Sequence, residues 1–217
     1  PVELHDVLDM WIGSSEKNIH QLFETARRLA PTVLFFDEVD AIGQKRSRFR
    51  AESAGRNVVN QMLAELDGVD SANEGVYVVA ATNQPWDVDT AFRRPGRFDR
   101  TLLVLPPDLP ARRALLSAAL ADRPVSNVNL DAIAEATDLF SGADLRAVCD
   151  DATRAAMSDA IRTNSPRPIT QADLTTAVRG RRPSTIEWLR TARDHAEFAN
   201  HDGIYDELLP YLRARRI

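Results

Sequence analysis

The chain has 217 residues, enough for one sizeable domain or two small ones, and its 44% hydrophobic content is ordinary for a globular protein. A formal net charge of −5 and a pI near 5.4 argue against broad nucleic-acid affinity, although the arginines could still form a local patch. The single cysteine, Cys149, excludes an internal disulfide framework and suits a reducing compartment, so the cytoplasm is the expected location; no apolar run is long enough to cross a membrane, and the N-terminus does not read as a signal peptide.

In chain order, the first informative stretch is Leu8–Glu16, where Met10-Trp11-Ile12-Gly13 reads as an exposed loop. A solvent-facing apolar run is costly unless something apolar touches it, and packing of Trp11 on the chain's own core is the alternative. Ile19, Leu22, Phe23, Ala26 and Ala30 then mark an amphipathic helix terminated by Pro31. Val33-Leu34-Phe35-Phe36 reads as a fully buried strand running straight into Asp37 and Glu38. The carboxyl end of such a strand is where an open α/β sheet places its ligands. Asp37 is suited there to hold Mg²⁺ through water, and Glu38 to polarise an attacking water; the bland alternative is a core strand followed by solvated acids. Lys45–Arg50 is a basic run, either a second functional loop or a solvated charge cluster.

Val59, Met62, Leu63 and Leu66 stand at helical spacing, with Gly68 placed to end that helix. A second buried strand, Val76–Ala81, leads to Thr82-Asn83. The Asn83 amide is able to donate to a phosphate and accept from a water at once, or to serve a strand-to-loop turn; Thr82 reads as structural. In the arginine-rich stretch that follows, Arg94 and Arg97 flank Pro95-Gly96, which suits a tight turn exposing both side chains. A guanidinium so placed stabilises phosphoryl-transfer charge, or else ion-pairs within its own turn. Arg93 and Arg100 read as surface or intersubunit ion-pairing groups. A third strand is expected near 101–105, and the alternation of helices and strands predicts an α/β fold with a parallel sheet covered on both faces.

Pro106-Pro107-Asp108-Leu109-Pro110 breaks the pattern and marks a stiff boundary. Beyond it the chain reads as all-helical. Leu115, Leu116, Ala119 and Leu120 line one helix and Ile133 lies in another; a longer helix starts near Ser141, with Leu145, Val148 and Cys149 on its buried face, and a further one runs from Thr170 to Gly180. Ser184 and Glu187 have capping-box spacing at the start of a last helical unit, expected to end at Gly203 and to be followed by a short helix over Tyr205–Leu212. The tail Arg213–Arg216 reads as a solvated chain end rather than a docking element. The expected divisions are 1–106, 107–182 and 183–217. The four histidines, His5, His20, His195 and His201, lack metal-ligand spacing.

A buried strand with two acids, a buried strand with a polar amide and an arginine-studded turn, in that order, resemble the AAA family of ATPases and, within it, the valosin-containing-protein-like ring ATPases. Leu8–Glu16 resembles the first pore loop of the polypeptide-threading members, and Ser141-Gly142-Ala143-Asp144-Leu145 resembles the start of the nucleotide-facing lid helix. The resemblance covers roughly residues 1–182. It implies ATP and Mg²⁺ as ligands, with Asp37 ordering the metal shell, Glu38 as the base, Asn83 as the sensor, and Arg94 and Arg97 as fingers reaching a neighbouring subunit. It implies that Gly142 and Ala143 approach the nucleotide, that Leu115 and Ala119 lie near the adenine, and that Trp11 and Ile12 grip an extended polypeptide. Lys45–Arg50 would form a second pore loop. It also implies a homo-oligomeric ring, hexameric in the family, that remodels or unfolds protein substrates. Two departures are Asn57, where relatives often carry arginine, and Asp89-Thr90-Ala91 in place of Asp-Pro-Ala.

No G-x-x-x-x-G-K-[ST] motif occurs in the sequence. In the family that phosphate-binding loop and a central strand precede the pore loop, so the chain reads as the C-terminal portion of a module and is expected to hydrolyse ATP by itself only at background rates. The alternatives are a non-hydrolysing assembly or regulatory fragment and a nucleic-acid-remodelling ATPase. The family's sheet order sets the absent central strand between 76–82 and 101–105. Either a gap beside 76–82 or a rearranged sheet is therefore expected.

Overall fold

The structure, a computed structural model, describes residues 15–42, 53–68, 73–200 and 203–216. Trp11, Ile12 and the basic run Lys45–Arg50 lie outside the described residues. The chain divides into two compact units, Pro1–Thr101 and Leu102–Ile217. The division falls shortly before the proline-rich connector, and the C-terminal helices share a unit with the helices of 107–182.

The first unit holds helix α1 (Ser15–Arg28), strand β1 (Thr32–Phe36), a short helix α2 (Val39–Ile42), helix α3 (Ser53–Asp67), strand β2 (Val76–Ala80) and a 3₁₀ turn (Thr90–Arg93). β1 and β2 pair in parallel, from Thr32 opposite Val76 to Phe36 opposite Ala80. Backbone bonds extend the ladder past both ends: Thr32 N–H to Gly75 O at 2.9 Å, Ala81 N–H to Phe36 O at 2.8 Å and Val39 N–H to Ala81 O at 2.9 Å. Gly75 starts β2 at φ +79°, and a Cβ there would meet the Ala30 Cβ at 3.0 Å, so both backbone conformation and space call for glycine.

Strand alternation sends Leu34 and Phe36 to one face, where they join Ile19, Phe23 and Ala26 of α1 and Val59, Met62, Leu63 and Leu66 of α3. The rings of Phe23 and Phe36 stack with centroids 6.2 Å apart. Burial of each large side chain stabilises the unit by about 1.5–3 kcal/mol. The other face departs from the expectation of two-sided cover. Val33 and Tyr77, cross-strand partners, are 64% and 66% exposed, and no helix covers them among the described residues. The expected strand at 101–105 does not form either: Leu102 and Val104 are each 86% exposed. A strand needs a neighbour for its backbone donors and acceptors. Among the described residues the sheet has two strands and nothing pairs with the far edge of β2; with no strand at 101–105, the expected arrangement of two strands flanking a gap is not seen.

α1 and α3 are also joined by Glu65, only 6% exposed. It accepts from Arg27 Nη2 at 2.6 Å and Gln61 Nε2 at 2.8 Å, and its Oε1 lies 2.6 Å from His20 Nδ1. Burial pushes the Glu65 carboxyl up, but the bonds from His20, Arg27 and Gln61 outweigh it and the net shift is downward. The hydrogen bond to Glu65, and then its negative charge, raise His20 above its ordinary value.

The second unit holds α4 (Leu109–Leu120), α5 (Leu130–Glu135), α6 (Gly142–Thr163), α7 (Gln171–Arg179), α8 (Thr185–Phe198) and α9 (Leu208–Arg215). Asp108 caps α4 by accepting from Ala111 N–H at 2.9 Å, with Pro110 in the first turn. Leu116, Leu120, Ile133, Phe140, Leu145, Val148, Ile169 and Leu174 form the core. Cys149 is fully buried in it, and burial pushes its thiol up to about 11, consistent with a packing role. α8 ends at Phe198, ahead of Gly203, and the Asn200 side chain accepts from Tyr205 N–H at 3.1 Å to shape the connection to α9. The basic tail is not wholly solvated: Arg215 Nε donates to Asp138 Oδ2 at 3.1 Å, and its guanidinium lies 3.9 Å from the Tyr211 ring centroid.

Two outcomes follow. Phe23→Ala should cost about 3–5 kcal/mol in urea denaturation, as expected for a fully buried aromatic. His20 titrates higher folded than unfolded, so its contribution to stability is complete below 6.5 and is lost as pH rises through the raised value. The stability difference between the wild type and His20→Gln should therefore shrink over that window, and a pH-independent difference would refute the His20–Glu65 pairing.

Candidate functional site

The parallel register brings the carboxyl ends of β1 and β2 to the same edge of the sheet. Asp37 and Glu38 follow β1 directly, and Asn83 stands three residues after Ala80. All three residues are exposed. Glu38 adopts φ +50°, the left-handed region that costs a non-glycine residue about 1 kcal/mol. Its N–H donates to Asp37 Oδ1 at 2.9 Å, a local bond that holds the sharp turn between strand and helix. Strain retained at a strand end marks a position whose side-chain direction is fixed. An exposed carboxylate such as Asp37 is a hard oxygen donor of the kind Mg²⁺ takes when water and phosphate fill the rest of its shell. Among the described residues there is no group of three or more His, Cys, Asp or Glu able to hold a metal by itself.

The two loops beyond the strands are tied together. Thr82 Oγ1 donates to Asp40 Oδ1 at 2.5 Å and accepts from Gln84 N–H at 2.9 Å. Thr82 thus braces the segment that carries Asn83 against the first turn of α2, a structural role. Asp40 was not legible as its partner, because nothing in the sequence pairs residues 42 positions apart.

Arg94 and Arg97 occupy the ends of a four-residue turn in which Arg97 N–H donates to Arg94 O at 3.1 Å. Pro95 presets the second position, and Gly96, at φ +86°, takes the left-handed third. The arginines differ in environment. Arg94 is exposed, whereas the Arg97 side chain is 13% exposed and forms a two-pronged pair with Asp67, Nε to Oδ1 and Nη2 to Oδ2, both at 2.6 Å. Its Nη1 also reaches Ala91 O at 2.5 Å. These bonds from Arg97 hold the Asp67 carboxyl below its ordinary value. The expectation that the turn exposes both arginines is therefore met for Arg94 only, since Asp67 at the end of α3 captures Arg97.

In the second unit, Ser141 and Asp144 form a reciprocal capping box at the start of α6: Asp144 N–H donates to Ser141 Oγ at 3.1 Å, and Ser141 N–H to Asp144 Oδ2 at 2.9 Å. Gly142 and Ala143 are exposed on this first turn. A Cβ on Gly142 would lie 3.8 Å from Leu115 Cδ1, so the structure brings Gly142 and Leu115 together. Leu115 is 40% exposed, while Ala119, one turn along α4, packs partly into the core.

Comparison with known proteins agrees with this architecture. Residues 2–105 match the family described as ATPase family associated with various cellular activities (AAA), and residues 127–176 match the AAA+ lid domain. The chain is 39% identical over 163 residues to a Cell division cycle protein 48 homolog of Archaeoglobus fulgidus, covering 75% of this chain and 22% of that protein. It is 44% identical over 153 residues to Protein SAV of Sulfolobus acidocaldarius, covering 70% and 20%. The chain thus spans about a fifth of the length of these curated relatives. The crystal structure of the FIGL-1 AAA domain superposes with a TM-score of 0.75 at 30% identity, covering 91% of this chain and 67% of that one.

The two arginines are separable by experiment. Arg97→Ala should lower folding stability by about 2 kcal/mol, since it removes charge-assisted bonds from a largely buried guanidinium. Arg94→Ala, at an exposed site, should change it by no more than about 0.5 kcal/mol. Equal losses in urea denaturation would overturn this division.

Proposed function

Because this chain belongs to the AAA family of ATPases, we propose that it serves an ATP-hydrolysing module in a ring-forming protein remodeller. The reading rests above all on Glu38, held in a left-handed conformation beside Asp37 at the strand edge that also carries Asn83. In this reading Glu38 accepts the proton of the attacking water and Asp37 holds the Mg²⁺ shell. The Asn83 amide bridges the terminal phosphate and that water. Mg²⁺, when bound, neutralises charge developing on the phosphates. Arg94, exposed on its turn, reaches a neighbouring subunit, and Arg97 either braces that turn through Asp67 or joins Arg94 after parting from it. Gly142 and Ala143 let backbone approach the base and sugar closely, with Leu115 and Ala119 offering apolar contact. Trp11 and Ile12 grip an extended polypeptide, which would be the substrate of a homo-oligomeric, hexameric ring working in the cytoplasm.

A second reading, an assembly or regulatory element without hydrolysis, draws support from Arg97, which is engaged within its own chain. One experiment separates the two. In the full-length protein, Glu38→Gln should lower ATP turnover by roughly 10²–10⁴-fold, the usual contribution of a positioned base, while sparing ATP binding. Turnover unchanged in Glu38→Gln would remove the base assignment. A wild-type full-length protein that binds ATP but releases no phosphate would favour the second reading.

A further inference from the structure

Ser184 precedes α8 with Glu187 three residues on, the spacing of a capping box, yet it does not cap its own helix. Its backbone is helical, at φ −68° and ψ −19°, and it makes no side-chain cap bond. A serine in that position ordinarily stabilises its helix by accepting from a first-turn N–H. Here the hydroxyl turns instead to the start of α6: Ser184 Oγ donates to Asp144 Oδ2 at 2.8 Å, and Ser184 N–H donates to the same oxygen at 3.0 Å. That oxygen is the one that closes the α6 capping box by accepting from Ser141 N–H. Burial pushes the Asp144 carboxyl up, and the bonds from Ser141 and Ser184 outweigh it, so that the net shift is downward.

The loop leading into α6 is held at two further points by the same C-terminal hairpin. Leu139 sits at φ +67°, a left-handed strain for a leucine, and its carbonyl accepts from Thr185 Oγ1 at 2.5 Å. Asp138 accepts from Arg215 at the end of α9 and from Arg112 Nη1 at 3.1 Å. Arg112, 4% exposed, also donates to Pro107 O at 3.0 Å and Ala134 O at 2.9 Å. The start of α8 and the end of α9 thus grip the segment 138–144, in which Gly142 and Ala143 are exposed.

We propose that Ser184 and Thr185 are positioning residues for the nucleotide-facing turn of α6, so that the α8–α9 hairpin sets the protein's affinity for ATP. This rests on the reading that Gly142 and Ala143 approach the nucleotide. Ser184 acts through the Asp144 carboxylate, and Thr185 through the strained Leu139 carbonyl. Without them the left-handed Leu139 relaxes and the first turn of α6 loses its fixed presentation.

The test is titration of full-length protein with a fluorescent ATP analogue in the presence of Mg²⁺, alongside steady-state kinetics. Ser184→Ala and Thr185→Val should each weaken analogue binding and raise KM by about tenfold, the order of one charge-assisted or strain-holding hydrogen bond, with kcat at saturation changed less than twofold. Ser184→Thr, which keeps the hydroxyl, should restore binding. Gly142→Leu is the control for the underlying reading. If Gly142→Leu weakens binding while Ser184→Ala and Thr185→Val do not, the positioning role fails and the nucleotide reading stands. If Gly142→Leu leaves binding unchanged, both fail together. Should Ser184→Ala not fold, Arg215→Gln tests the same grip from α9. Arg215→Gln should raise KM in the same sense, and wild-type binding in that variant would overturn the proposal.

Discussion

Parallel pairing of β1 with β2, in the register that sets Phe36 opposite Ala80, is the constraint from which the first unit follows. A parallel ladder sends both strand ends the same way, so the acids after Phe36 and the amide after Thr82 emerge along one edge. The same register fixes which side chains face the helices. A slip by one residue would turn Leu34 and Phe36 outward and remove the stack of Phe23 on Phe36 that seats α1. The Ala81 and Val39 amides carry the ladder on into the loops, where Asp40 and Thr82 join the two connections. Glu38 is accordingly fixed on both sides, by the strand before it and by the Val39 bond after it. Its left-handed backbone is tolerated because the surroundings leave no alternative.

The second unit is organised around shared acceptors rather than a sheet. One oxygen of Asp144 closes the α6 cap and receives Ser184, and one carboxylate, Asp138, serves Arg112 and Arg215. Such sharing couples elements far apart in sequence in addition to the apolar core, because each charged acceptor contributes more than a neutral one and is costly to leave unmade. The price is local: Ser184 leaves the N-terminus of α8 without its side-chain cap.

Among the described residues, one face of the sheet is left without cover. Val33 and Tyr77 expose an apolar surface, which is costly unless something apolar touches it, and Leu102 and Val104 belong to no ladder among the described residues.

Much of this was legible in the sequence, because the signals are local. Apolar periodicity located α1 and α3, the run Val33–Phe36 located β1, and the start of α6 was expected near Ser141, where the structure places it. The Pro95-Gly96 turn was equally plain, since proline and glycine restrict or free the backbone where they stand. Motif order alone carried the family, and with it Asp37, Glu38, Asn83 and Gly142 as candidates. What the sequence did not contain is which charged group meets which. Arg94 and Arg97 look alike in the chain, and only packing of the turn against the end of α3 gives Arg97 to Asp67, 30 residues away, leaving Arg94 exposed. Ser184 has the spacing of a cap, and only the fold of the C-terminal hairpin turns it to Asp144, 40 residues back. Strand formation at 101–105 likewise required a partner that no local propensity supplies. Local backbone preference and apolar period determined the elements and their candidates; long-range pairing of charges and strand edges, decided by tertiary structure, determined what each candidate is able to touch.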